Sequence, residues 1–99
     1  MKLTDKQRRH LRGLGHELKP IVFIGQAGLS DAVVAEAARA LNDHELIKVR
    51  ATGMEREERD DALDLLAQRT ESAIVGRIGH VAILYRRHPE KPKILLPGA

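Results

Sequence analysis

Residues 20–51 read PIVFIGQAGLSDAVVAEAARALNDHELIKVRA, and the changes of pattern inside this stretch decide the fold. Ile21-Val22-Phe23-Ile24 is a short apolar run opened by Pro20 and closed by Gly25, which reads as a buried strand. Gly25-Gln26-Ala27-Gly28 follows as a turn. Ser30 is a good N-cap, and Asp31 puts a negative charge in the first helical turn, where the helix dipole favours it. Val33, Val34, Ala37, Ala38 and Leu41 recur at helical spacing and predict a helix over about 31–42. Leu46-Ile47-Lys48-Val49-Arg50-Ala51 is rich in β-branched residues and is a second strand.

The flanks extend this strand–loop–helix–strand unit in both directions. Upstream, Thr4 and Gln7 have capping-box spacing, and Leu11, Leu14 and Leu18 mark an apolar stripe, so a helix is expected over about 5–13. Its outer surface carries Lys6, Arg8, Arg9, His10 and Arg12. Downstream, Thr52 and Glu55 are a second candidate capping box, opening a helix whose inner stripe is Leu63, Leu66, Ala67 and Thr70. From Ala73 to Tyr85 the composition is that of strands, broken only by Gly79-His80, which fits a type II′ hairpin joining two antiparallel neighbours. Pro89 and Pro92 cannot sit in a central strand, leaving 89–99 as a short edge strand or tail. The order α-β-α-β-α-β-β makes an α/β fold: a two-layer sandwich with a four-stranded mixed sheet, one domain over 1–99.

Composition narrows the function. The chain has 99 residues, 17 Lys plus Arg and 14 Asp plus Glu, a net charge of +3, no cysteine, and 2 % aromatics, namely Phe23 and Tyr85. Without cysteine, disulfides, thiolate zinc sites and cysteine nucleophiles are excluded. With so few rings, successive bases cannot be stacked along a row of aromatic side chains. No apolar run approaches the roughly 20 residues that span a bilayer, and the polar opening does not resemble a secretory signal, so a cytoplasmic protein that does not contact membranes is expected. The charge is polarised along the chain: residues 1–30 and 72–99 each carry a net +4, residues 54–71 a net −4. Basic ends that meet in space would present a field suited to a polyanion.

Catalysis finds little support. The histidines His10, His16, His44, His80 and His88 show no metal-binding spacing, and the acids of 55–64 are interleaved with Arg56 and Arg59. Ser30 is explained as a cap, and no nucleophile elbow, Walker loop or dinucleotide pattern occurs. No metal, cofactor or enzymatic role is expected. Gly25-Gln26-Ala27-Gly28 is more informative: two glycines between a strand and a helix N-terminus leave backbone N–H groups open to a phosphate. By itself this spacing is also that of a plain tight turn, and it recurs at Gly76-Arg77-Ile78-Gly79, read here as strand and hairpin. Lys48 and Arg50 share one strand face with Leu46, Arg86 and Arg87 follow the last strand, and the first helix adds Lys6, Arg9 and Arg12.

Gly25-Gln26-Ala27-Gly28-Leu29-Ser30, a helix ending Ala40-Leu41, and then His44-Glu45-Leu46-Ile47-Lys48-Val49 together resemble the CRM (chloroplast RNA splicing and ribosome maturation) domain in its stand-alone bacterial YhbY-like form. Leu3-Thr4, Leu18-Lys19-Pro20, Gly79, Leu84-Tyr85-Arg86 and Leu96-Pro97 extend the resemblance over nearly the whole chain. It implies a fold like the C-terminal domain of translation initiation factor 3, and RNA binding through the Gly-x-x-Gly loop and adjacent basic surface. It also implies association with large-ribosomal-subunit precursors. The expected RNA-binding residues are Gly25, Gln26, Ala27, Gly28, Lys6, Arg9, Arg12, Lys48, Arg50, Arg86 and Arg87, contacting backbone and shape more than stacked bases. The expected protein is a monomer binding ribosomal RNA, with ribosomal proteins as further partners. The alternative is a protein-interaction module that docks on a ribosomal protein or assembly factor.

Overall fold

In the computed structural model, which describes residues 2–98, the N-terminal capping box forms in full. The Thr4 hydroxyl accepts from the Gln7 N–H at 3.1 Å, and the Gln7 carbonyl oxygen accepts from the Thr4 N–H at 3.0 Å. These bonds open α1 (Asp5–Gly15), followed by β1 (Pro20–Ile24), α2 (Asp31–His44), β2 (Leu46–Ala51), α3 (Arg56–Thr70), β3 (Ala73–Ile78) and β4 (Val81–Tyr85). The sheet order is β1-β2-β4-β3, with β1 and β2 parallel and the other two pairings antiparallel. The chain is thus the expected α/β fold with three helices and a four-stranded mixed sheet.

Alternation along β1 and β2 divides the apolar residues between the two sheet faces. Val22, Ile24, Ile47, Val49, Ala82 and Leu84 point one way and pack against Ala37 and Leu41 of α2 and Leu63 and Leu66 of α3. Leu46, Val75, Ile83 and Tyr85 belong to a second cluster with Leu11 of α1, closed by Leu3, Ile94 and Leu96. Helix α1 therefore lies on the opposite face from α2 and α3, which corrects the expected two-layer sandwich to three layers, because the apolar residues on the second sheet face are buried under Leu11 of α1. It approaches closely because residue 15 is glycine: a Cβ there would sit 2.8 Å from Ile83 Cδ1. Full burial of Leu11 stabilises this layer by about 1.5–3 kcal/mol.

Three local expectations are corrected. Leu14 and Leu18 are 40 % and 36 % exposed, because they line one wall of an open groove shared with Ile21, Leu46 and Ile94 and do not close on the sheet. Strand β1 is not buried on both faces; it is an edge, with Ile21 and Phe23 open to solvent. The Thr52/Glu55 box does not form. Instead the Thr52 N–H continues the pairing by donating to the Ile24 carbonyl at 3.0 Å, Gly53 turns the chain at φ +77°, and Glu55 caps α3 without a side-chain bond. Of the alternatives for the C-terminal residues, the structure takes the tail: among the described residues, no strand forms beyond Tyr85.

Candidate nucleic-acid interface

The Gly25–Gly28 segment is a tight turn closed by the Gly28 N–H donating to the Gly25 carbonyl at 2.9 Å. Gly28 needs to be glycine because its φ is +86°, and a Cβ added at either glycine would meet no atom within 4 Å. The loop surface is thus open on the outside. It is supported from behind by Gly53, where a Cβ would lie 3.1 Å from Gln26 Cβ and 3.3 Å from its Cα. Immediately after the loop, the Ser30 hydroxyl accepts from the Val33 N–H at 3.2 Å and starts α2, so the positive end of that helix dipole sits beside the turn. Gln26 and Ala27 are exposed at its tip.

Arg50 stands next to this loop. It pairs with Phe23 in the β1–β2 register and with Val81 in the β2–β4 register, so these side chains share the α1 side of the sheet, on the part of it that the helix leaves uncovered. Lys48 lies one pleat further along the same face, and His16, Pro20, Lys48, Arg50, Ile78, Val81 and Ile83 line a groove of about 340 Å³. Neither the Lys48 nor the Arg50 side chain forms an ion pair or hydrogen bond among the described residues. Their charge is available to a ligand.

The other expected residues are placed elsewhere. Strand β4 runs away from the loop, since Val81 pairs with Arg50 and Tyr85 with Leu46. Arg86 and Arg87 consequently leave the sheet about 17 Å from the loop end, at five residues of roughly 3.3 Å each. Arg86 is moreover engaged: its guanidinium donates to the Thr70 carbonyl at 2.9 Å and the Ala38 carbonyl at 2.9 Å, tying the end of α3 to α2. It does not belong to an open phosphate-binding surface. Arg87 is exposed and points into no ion pair among the described residues. On α1, Lys6 and Arg9 are exposed and unpaired among the described residues, whereas Arg12 donates to the Val75 carbonyl at 3.3 Å. Arg8 donates to the Ile74 carbonyl at 2.8 Å, so both arginines cover carbonyls of the edge strand β3. The cations thus form two groups, Lys48 and Arg50 beside the glycine loop, and Lys6, Arg9 and Arg87 toward the other end. Arg77 joins neither, being paired with Asp60 and Asp64.

Glu45 is the residue whose role the sequence concealed. It is fully buried at the α2–β2 junction with φ +65°. Its carboxylate accepts from the backbone N–H of His88 at 2.7 Å, Lys93 at 2.7 Å and Ile94 at 2.8 Å, while its carbonyl accepts from the Arg86 N–H at 2.9 Å. Burial alone would raise its pKa, but the backbone donors, led by His88, and the nearby His88 side chain hold it below the ordinary 4.5. Glu45 therefore holds the tail against the sheet, with the Gln7 amide donating to the Pro97 carbonyl at 3.0 Å as a second tie. The available signal was a lone acid between a helix end and an apolar strand. Among the described residues, no three His, Asp or Glu side chains are arranged to hold a metal ion, and no helix is long and apolar enough to cross a membrane.

Comparison with known proteins bears on what this surface contacts. The CRS1/YhbY (CRM) domain family model matches residues 3–86. A probable RNA-binding protein of Pseudomonas aeruginosa is 43 % identical over 95 residues, covering 96 % of this chain and 91 % of that one. An RNA-binding protein of Haemophilus influenzae is 44 % identical over 95 residues, covering 96 % and 95 %. The solution structure of a hypothetical Staphylococcus aureus protein superposes with a TM-score of 0.83 at 33 % identity, covering 97 % of this chain and 100 % of that one. The names of the two relatives describe RNA binding and no enzymatic activity.

Proposed function

This chain belongs to the CRS1/YhbY (CRM) domain family, and from that premise we propose that it binds structured ribosomal RNA without catalysis and assists assembly of the large ribosomal subunit. The carrying observation is the preformed Gly25–Gly28 turn, open above both glycines and flanked by the unpaired Lys48 and Arg50. A phosphate approaching it meets backbone N–H groups, a helix N-terminus and two cations without any rearrangement of the protein. Lys6, Arg9 and Arg87 extend the contact along the backbone. The protein works as a cytoplasmic monomer with no cofactor, and ribosomal proteins are secondary contacts.

Neutralising five phosphates gives a slope of log affinity against log salt of about −4. Filter binding to ribosomal RNA fragments between 50 and 300 mM salt, on the order of the range over which phosphate contacts weaken strongly, measures it. The double variant Lys48→Glu, Arg50→Glu is expected to flatten the slope by about 2 and to weaken all sequences alike. An affinity indifferent to salt refutes the electrostatic reading. Co-sedimentation with large-subunit precursors, and crosslinking that maps the contacted nucleotides, test the ribosomal part. A second reading, docking on a protein of the particle, draws on the exposed Leu14, Leu18 and Ile21, which line a groove of about 430 Å³. On that reading the double variant still co-sediments undiminished.

A further inference from the structure

The chain has two aromatic rings, and the fold treats them oppositely: Tyr85 is fully buried, whereas Phe23 is 58 % exposed. Single exposed apolar residues are ordinary, but Phe23 is not single. The strand registers align Phe23, Arg50, Val81 and Ile78 in one transverse row across all four strands, on the part of the α1 face that the helix leaves open. Ile78, at the far end of the row, is 68 % exposed, and Val81 is half-buried. The result is an apolar strip, with a ring at one end, crossed by an unpaired guanidinium and bordered by Lys48 and His16. Phe23 also lies two residues before Gly25, about 7 Å along the strand and within the reach of one nucleotide.

Resting on the RNA-binding reading above, we propose that Phe23 is the stacking site for one unpaired base, whose flanking phosphates are held by the Gly25–Gly28 loop and Arg50. The occupant follows from the pairing of chemistries. A flat apolar ring beside free cations matches a ligand with a π-face and a phosphate on either side. A continuous duplex keeps its bases stacked on one another and offers this ring nothing. The site therefore selects an overhang, bulge or loop over a regular duplex, and it accepts any base, since every base has a π-face. One ring holds one base, so the lack of a row of aromatics is no obstacle.

The test uses three RNA hairpins of the same stem, each closed by the same abasic loop: blunt-ended, with an overhang of several adenosines, and with the same overhang made abasic. Replacing an aromatic under a stacked base loses about 5- to 150-fold in affinity. Phe23→Ala and Phe23→Leu are expected to lose that factor on the adenosine overhang and less than about twofold on the blunt and abasic hairpins, whose contacts are to phosphate and sugar. Because the ring is exposed, both variants should melt with the wild type, and Leu keeps the apolar bulk of the strand. The protein has no tryptophan, so Phe23→Trp supplies a single reporter, expected to bind as wild type and to be quenched by the adenosine but not the abasic overhang. Wild-type affinity of Phe23→Leu for the adenosine overhang, or an equal loss on all three hairpins, overturns the stacking site and leaves RNA binding standing. Failure of the wild type to bind any hairpin overturns both.

Discussion

Replacing Glu45 by alanine removes three backbone hydrogen bonds at once, of 2.7, 2.7 and 2.8 Å, each made to a buried charge. Bonds to charged groups contribute about 1.5–3 kcal/mol apiece, so simple addition would give roughly 5–9 kcal/mol. Addition overstates the loss, because the orphaned N–H groups of His88, Lys93 and Ile94 belong to a tail that can detach and hydrate them. What is then lost is the burial of Ile94 and Leu96 against the second cluster and the tie from Gln7 to Pro97. We expect about 3 kcal/mol, corresponding for a domain of this size to a fall in Tm of roughly 12–24 °C. Glu45→Gln keeps an oxygen for Lys93 and Ile94 but turns an amide N–H toward that of His88, and should lose about half as much. Glu45→Gly should be less damaging than alanine by on the order of 1 kcal/mol, because glycine accepts the positive φ at no cost. Urea denaturation followed by circular dichroism measures the total. Amide hydrogen exchange at Lys93 and Ile94 locates it. A loss below about 0.5 kcal/mol for Glu45→Ala, with both amides still protected, would refute the reasoning, since 0.5 kcal/mol is what an ordinary surface substitution does.

Acid should act through the same carboxylate. Its folded pKa is below the unfolded value of 4.5, so its stabilisation is complete above that value and is lost as pH falls through the folded pKa. The stability difference between wild type and Glu45→Gln should accordingly shrink on acidification, and a difference constant with pH would contradict it. Gly25→Ala adds a Cβ into empty space and should leave stability within about 0.5 kcal/mol, yet it should weaken RNA binding, because that space is where the phosphate backbone approaches. Gly53→Ala, by contrast, is strained at φ +77° and presses on Gln26, and should cost about 1–2 kcal/mol by thermal melt. Arg86→Gln should destabilise by about 1–3 kcal/mol, through loss of its bonds to the Thr70 and Ala38 carbonyls, while RNA affinity stays within twofold; a large loss of affinity in a folded variant would return Arg86 to the interface.

Much of the fold was legible because its signals are local. Ser30 and Thr4 do cap their helices, the two-residue Gly79-His80 connection does join β3 to β4, and alternation in β2 does separate Lys48 and Arg50 from Ile47 and Val49. Where local signals misled, a longer-range partner took over. Thr52 looked like a cap but donates to Ile24, a bond that exists only once β1 lies beside β2. Ile21-Val22-Phe23-Ile24 looked buried on both faces because an apolar run does not say whether its strand is central or an edge.

The site shows the same division. The glycine loop and the cations beside it were visible in sequence, since Gly25 follows a strand, Ser30 starts a helix and Lys48 and Arg50 share a parity. All of these depend on neighbours within a few residues. Whether a given cation is free depends on what the fold sets against it, and no spacing reveals that: Arg86 and Arg87 are adjacent in the chain, yet one is bound to two helix carbonyls and the other is open. The sequence by itself determined the elements, the loop and the family likeness, because hydrogen bonding, capping and side-chain periodicity act over one turn or one pleat. The sheet order, which puts β1 at the edge and exposes Phe23, and the seating of Glu45 under the tail were decided only by tertiary structure. Contacts between residues 45 and 94, or across four strands, are set by which surfaces bury one another when the chain closes.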